Sequence, residues 1–117
     1  MLTAQIINNT LEFLDRPEVT LRVLQGVMGG AIEAAGVVGD PVGDGDLVAY
    51  AARDQHGLRP NCRFAGQDIH GPLVLVGVGP HGEHRSLTHR ELDAITLTPA
   101  IDGALPNLVV TRAPRAD

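Results

Sequence analysis

Apolar and polar positions alternate at the start of the chain. Ala4, Ile6, Leu11 and Phe13 fall on one face of two short runs, 4–7 and 10–13, on either side of Asn8-Asn9. Asparagine tolerates the positive φ that a two-residue hairpin turn needs. The pattern therefore predicts a hairpin with Ile6 opposite Leu11 and Ala4 opposite Phe13. A rival reading starts a helical turn at Asn9 or Thr10, which Pro17 would interrupt. The period then changes. Val19, Val23 and Val27 recur every four residues with Leu24 and Met28 beside them, which makes an apolar stripe for a helix. Asp15 as N-cap, Glu18 three residues on, and Leu14 and Val19 at the staple positions mark its start. Gly29-Gly30 marks its end, because glycine accepts the left-handed closing conformation.

Strand patterns follow. Residues 31–38 predict a strand with Ile32 inward and Glu33 outward, and 47–52 predict another beyond the turn-rich 39–46 loop. Residues 54–57 should turn the chain, and 58–66 read as irregular and polar. The strongest strand signal spans 69–78, where Leu73-Val74-Leu75-Val76 is apolar on both parities. That pattern predicts burial on both faces, with Pro72 at the strand start or on an edge. Thr88 and Glu91 form a capping box, with Leu87 and Leu92 as staple, for a second helix over about 89–96. Residues 108–112 predict a last strand and 113–117 a loose tail. The expected fold is one α+β domain over residues 1–112, with a small antiparallel or mixed sheet packed by two helices.

Composition narrows the function classes. A length of 117 residues holds one core. With 44% apolar and 20% charged residues the chain should fold rather than stay disordered. Aromatic residues make up 3%, too few for stacking platforms on single-stranded nucleic acid. A formal charge of −5 argues against a broad phosphate footprint. No apolar run approaches the roughly 20 residues that span a bilayer. The polar start without an early basic cluster predicts no secretory leader. Cys62 is the only cysteine, so no internal disulfide is possible, and a reducing cytoplasm is expected. Every basic residue is arginine, and they are unevenly placed. Residues 51–67 carry Arg53, Arg59 and Arg63 against Asp54 alone, a basic island in an acidic chain.

That island holds the leading candidate chemistry. Arg59, Asn61 and Arg63 alternate, so an extended backbone would project all three from one side. Two guanidinium forks with an amide between them suit a phosphate or an acidic surface. The structural alternative pairs these arginines with Asp54, Asp68 or Glu33. His81-Gly82-Glu83-His84 with His89 nearby has a spacing that metal sites use, against solvated loop histidines. Asp40, Asp44 and Asp46 lack the order of an EF-hand calcium loop. Ser86, the single serine, precedes a helix cap and suits local hydrogen bonding. Cys62 beside Arg63 raises the possibility of a lowered thiol pKa. The glycines at 26, 29 and 30 end a helix rather than open one, so they do not make a phosphate loop. No cofactor is expected.

Three blocks in order carry a resemblance: Leu24-Gln25-Gly26-Val27-Met28-Gly29-Gly30-Ala31-Ile32-Glu33, Gly57-Leu58-Arg59-Pro60-Asn61-Cys62-Arg63-Phe64-Ala65, and Ile69-His70-Gly71-Pro72 through Gly77 followed by Ser86-Leu87-Thr88. Together they resemble a family of small proteins of unknown function encoded by phages, plasmids and related mobile elements of bacteria. The resemblance covers roughly residues 21–95. The stretch 11–19 looks longer than the family's usual lead into the first helix, and the tail after Thr96 is not covered. What the resemblance implies is origin: a non-enzymatic accessory protein acting in the host cytoplasm on a host protein or an anionic small molecule. On that reading the working surface is Arg59, Asn61 and Arg63, with Gln25 and Glu33. Two further readings stand beside it. One is a nucleotide-sequestering protein that holds phosphates across a dimer, and the other is a metal-dependent enzyme built on His81, His84 and His89. Open sheet edges make a homodimer reasonable.

Overall fold

A computed structural model describes residues 1–39, 45–101 and 103–111. The 113–117 tail, Arg112, and Asp40 and Asp44 of the turn-rich loop lie outside the described residues. The strands are β1 (Leu2–Ile7), β2 (Thr10–Asp15), β3 (Ile32–Val38), β4 (Asp46–Ala52), β5 (Pro60–Phe64), β6 (Gln67–His70), β7 (Leu73–Val78), β8 (His84–Arg85), β9 (Ile95–Thr98) and β10 (Asn107–Val110). The helices are α1 (Leu21–Met28) and α2 (His89–Ala94). The molecule is mostly β, rather than a sheet packed evenly by two helices.

The apolar run at 73–78 makes β7 the spine of a six-stranded sheet ordered β2-β1-β7-β4-β3, with β8 also paired to β7. Its two parities serve two cores. Leu73 and Leu75 join Ala4, Ile6, Leu47, Ala49 and Ala51 on one face. Val74 and Val76 join Val48 and Ala52 on the other. A second sheet, ordered β6-β5-β10-β9, covers the first face and contributes Cys62, Phe64, Ile69, Ile95 and Leu108 to that core. Helix α1 covers the opposite face through Leu24 and Met28, joined by Val19 just before its cap. The large sheet is antiparallel throughout, and β5 beside β10 is the parallel pair of the small one.

The hairpin forms as its alternation predicts. Asn8 and Asn9 both take positive φ, and Ile6 sits opposite Leu11 and Ala4 opposite Phe13. The helix start differs. Asp15 stays in β2 opposite Leu2, and Thr20 caps α1 by accepting from the Val23 amide. Strand pairing claims Asp15, so the next residue with a capping oxygen takes over. The stop falls as read: Gly29 is left-handed and its N–H donates to the Gln25 carbonyl.

Three more boundaries move. The 69–78 signal splits into β6 and β7 at a sharp turn, where Gly71 has φ +85. A Cβ there would lie 2.7 Å from Leu58 Cδ1, so both conformation and space require glycine. Pro72 sits just before β7, where no ladder bond is demanded of it. The Thr88–Glu91 capping box forms, but α2 ends at Ala94, and Ile95–Thr98 turns into a strand paired with β10. The stretch read as irregular, 58–66, contains β5.

Candidate functional site

Strand β5 holds Asn61 and Arg63 and begins just after Arg59, and its irregularity decides the geometry. Its register with β6 shifts between Pro60 and Cys62. A bulge of this kind breaks the alternation of side chains. Asn61 and Cys62 both turn inward, 2% and 0% exposed, while Arg59 and Arg63 remain outside. The expected single face of Arg59, Asn61 and Arg63 therefore does not form.

Asn61 is a structural post. Its carboxamide donates to the Ile6 carbonyl at 2.6 Å and to the Gly71 carbonyl at 2.8 Å. Its Oδ1 accepts the Asn9 N–H at 3.0 Å. The Asn9 side chain donates back to the Asn61 carbonyl. Both amide hydrogens and the oxygen are thus engaged, as a buried carboxamide requires. These bonds tie the end of β1, the hairpin tip and the β6–β7 turn to β5. The Gly71 N–H closes the ring on the Arg59 carbonyl at 2.8 Å.

Those same segments wall a cleft of about 210 Å³ lined by Ile7, Asn8, Leu58, Arg59, Pro60, Asn61, Gly71 and Pro72. Its lining is mainly apolar. Among the described residues, no hydrogen bond or ion pair engages the side chain of Arg59 or of Asn8. Arg63 differs: its Nε pairs with Asp68 at 3.0 Å and its Nη2 donates to the Gly66 carbonyl. Both members of that pair are about half exposed, so it contributes little to stability. Gln25 lies exposed on α1 and Glu33 exposed on β3, and neither lines the cleft.

The histidines scatter. Of the three candidate metal ligands, His84 is the engaged one: its Nδ1 lies 3.0 Å from the Val19 carbonyl and its Nε2 2.7 Å from the Tyr50 hydroxyl. A carbonyl only accepts, so Nδ1 carries the proton and Nε2 receives the phenol's. Both ring nitrogens are thereby occupied in pinning β8 to β4 and to the lead into α1. Burial raises the Tyr50 pKa further from neutrality. His81 and His89 are exposed. Among the described residues, no three His, Cys, Asp or Glu side chains gather as a metal would need.

Cys62 is not activated by its neighbour. Arg63 points the other way along the strand, and burial pushes the thiol up to about 11. It stays protonated through the neutral range, the reverse of what a nucleophile requires.

Elsewhere, Glu91 is fully buried and grips Arg85 through two bonds of 2.6 and 2.9 Å. The sequence pattern marks Glu91 for the capping box alone and marks no role for Arg85. The i,i+6 spacing crosses a turn, so no helical pattern reveals the pair. Among the described residues, no helix is long and apolar enough to cross a membrane. Comparison with family models, with curated proteins and with solved structures finds no match to the chain.

Proposed function

We propose that the chain is a non-enzymatic binding protein that engages an anionic partner through Arg59. One observation carries this reading. Among the described residues, the Arg59 guanidinium has no partner, and the residue lines a preorganised cleft inside the basic island of an acidic chain. Arginine's planar fork suits a carboxylate or phosphate oxygen pair. The sequence blocks that resemble small mobile-element proteins support a role as an accessory protein in a bacterial host cytoplasm. Those blocks fall on the helix stop at Gly29, the Asn61 post, the Gly71 turn and the Thr88 cap. They carry the scaffold around Arg59 rather than an active site.

Fold and recognition are separable here. The Arg59 side chain is exposed and has no partner among the described residues, so Arg59→Ala should leave the melting temperature within about 2 °C, the range of neutral surface changes. Titration of 15N-labelled protein with acetate and with inorganic phosphate, followed by backbone NMR, should move Leu58, Arg59 and Gly71 first. Those shifts should vanish in Arg59→Ala. Equal shifts at all arginines, or shifts that survive the substitution, would reject the assignment.

A further inference from the structure

We infer that the Arg59 cleft takes a carboxylate borne directly on a compact aliphatic group, as at the C-terminus of a peptide chain that ends in leucine or valine. The inference rests on the binding reading above and narrows it to a ligand class.

The floor sets the apolar half. Ile7, Leu58, Pro60 and Pro72 line the cleft with no charged group among them. The polar half comes from two lining residues whose side chains have no partner among the described residues, Arg59 and Asn8. Asn61, the other lining side chain with polar atoms, has spent all of them on Ile6, Gly71 and Asn9. One cation and one neutral amide match a single negative charge. A phosphate monoester carries nearly two charges at neutral pH, and no second arginine lines the cleft to meet them. Arg63 is already committed to Asp68.

Size points the same way. Sites for drug-sized ligands run to about 300–1,000 Å³, whereas this cleft is about 210 Å³. A nucleotide would stand largely in solvent, but one leucine-sized side chain with its terminal carboxylate fits. The walls need no ordering when it arrives, because Asn61 and the Gly71–Arg59 bond already fix them. That removes part of the usual cost of binding.

The probes are N-acetyl-leucine, N-acetyl-leucine amide and AMP, each titrated into 15N-labelled full chain. N-acetyl-leucine should give saturable millimolar shifts at Asn8, Leu58, Arg59 and Gly71. The amide, lacking the charge, should bind at least tenfold more weakly, as should the acid to Arg59→Ala. Asn8→Gly, which removes the carboxamide but accepts the positive φ, should weaken the acid severalfold while the hairpin amides keep their positions. Equal binding of acid and amide would overturn the inference. If AMP shifts the Arg59 neighbours and N-acetyl-leucine does not, the carboxylate class falls and the anion-binding reading stands. If no anion reaches Arg59, both fall.

Discussion

Asn61→Ala is expected to destabilise the fold by about 3–5 kcal/mol. The substitution strands the Ile6 and Gly71 carbonyls and the Asn9 N–H, each of which Asn61 now satisfies. A buried polar group left without its partner costs about 1–3 kcal/mol, and water can reach some of them at the cleft. For a domain of this size the loss lowers the melting temperature by on the order of 10–20 °C. Asn61→Asp should be no better despite its shape. The carboxylate offers no donor to the two carbonyls and brings a buried charge. Thermal unfolding by circular dichroism checks both variants. The carbonyls and the turn amide lie 55, 10 and 52 residues from Asn61 in sequence. Their loss should therefore register as a global change rather than a local one.

Arg85→Met is expected to cost about as much, roughly 3–5 kcal/mol. Among the described residues, Glu91 would keep a fully buried carboxylate with the Thr88 N–H alone to satisfy it, and breaking a buried pair from one side carries that penalty. Arg85 also donates to the carbonyls of Val78, Ser86 and Asp46, so it braces β7, β4 and the α2 cap together. Its side chain lies over Gly77, where a Cβ would come within 2.5 Å of Nη1. Glu91→Gln should cost less, because an amide oxygen can still accept from the guanidinium and from Thr88. The double variant Arg85→Met with Glu91→Leu should recover much of the single-variant loss, since no charge then stays buried. A loss in the double variant equal to the sum of the singles would contradict this account of the pair. Denaturant midpoints of these three variants and of Glu91→Leu alone measure this.

Much of the scaffold was legible because its signals are local. Asn8-Asn9 between two alternating runs specifies a hairpin and its register. The double parity of Leu73–Val76 specifies a strand buried on both faces. Gly29 and the Thr88–Glu91 box fix a helix stop and a helix start. The rest depends on partners far away in sequence. Asp15 is as good a cap as Thr20 until β1 claims it by pairing. Ile95-Thr96-Leu97-Thr98 alternates and is β-branched at three of its four positions, a strand signal that the capping box before it obscures. Strand β5 hid for a different reason: its bulge spends one residue, so Asn61 and Cys62 face inward together and the two-residue period disappears.

The candidate site divides along the same line. The basic excess at 51–67 and the exposure of Arg59 follow from charge and composition. The role of Asn61 does not, because its neighbours are a hairpin tip and a glycine turn brought in by tertiary folding. Alternation alone predicts a ligand-facing amide flanked by two arginines. The bulge converts it into the post that positions the cleft, pairs Arg63 with a carboxylate of the next strand, and leaves the Arg59 fork without a partner among the described residues.

Hydrogen exchange at the Asn9 amide tests that post most directly. Asn9 is an exposed hairpin-turn residue, and a turn amide open to water exchanges almost unprotected. Its bond to Asn61 Oδ1 predicts protection approaching that of the β7 amides, released only when the domain opens as a whole. Exchange at the rate of an open turn would show that Asn61 does not hold the hairpin, and that the cleft beside Arg59 is not prebuilt.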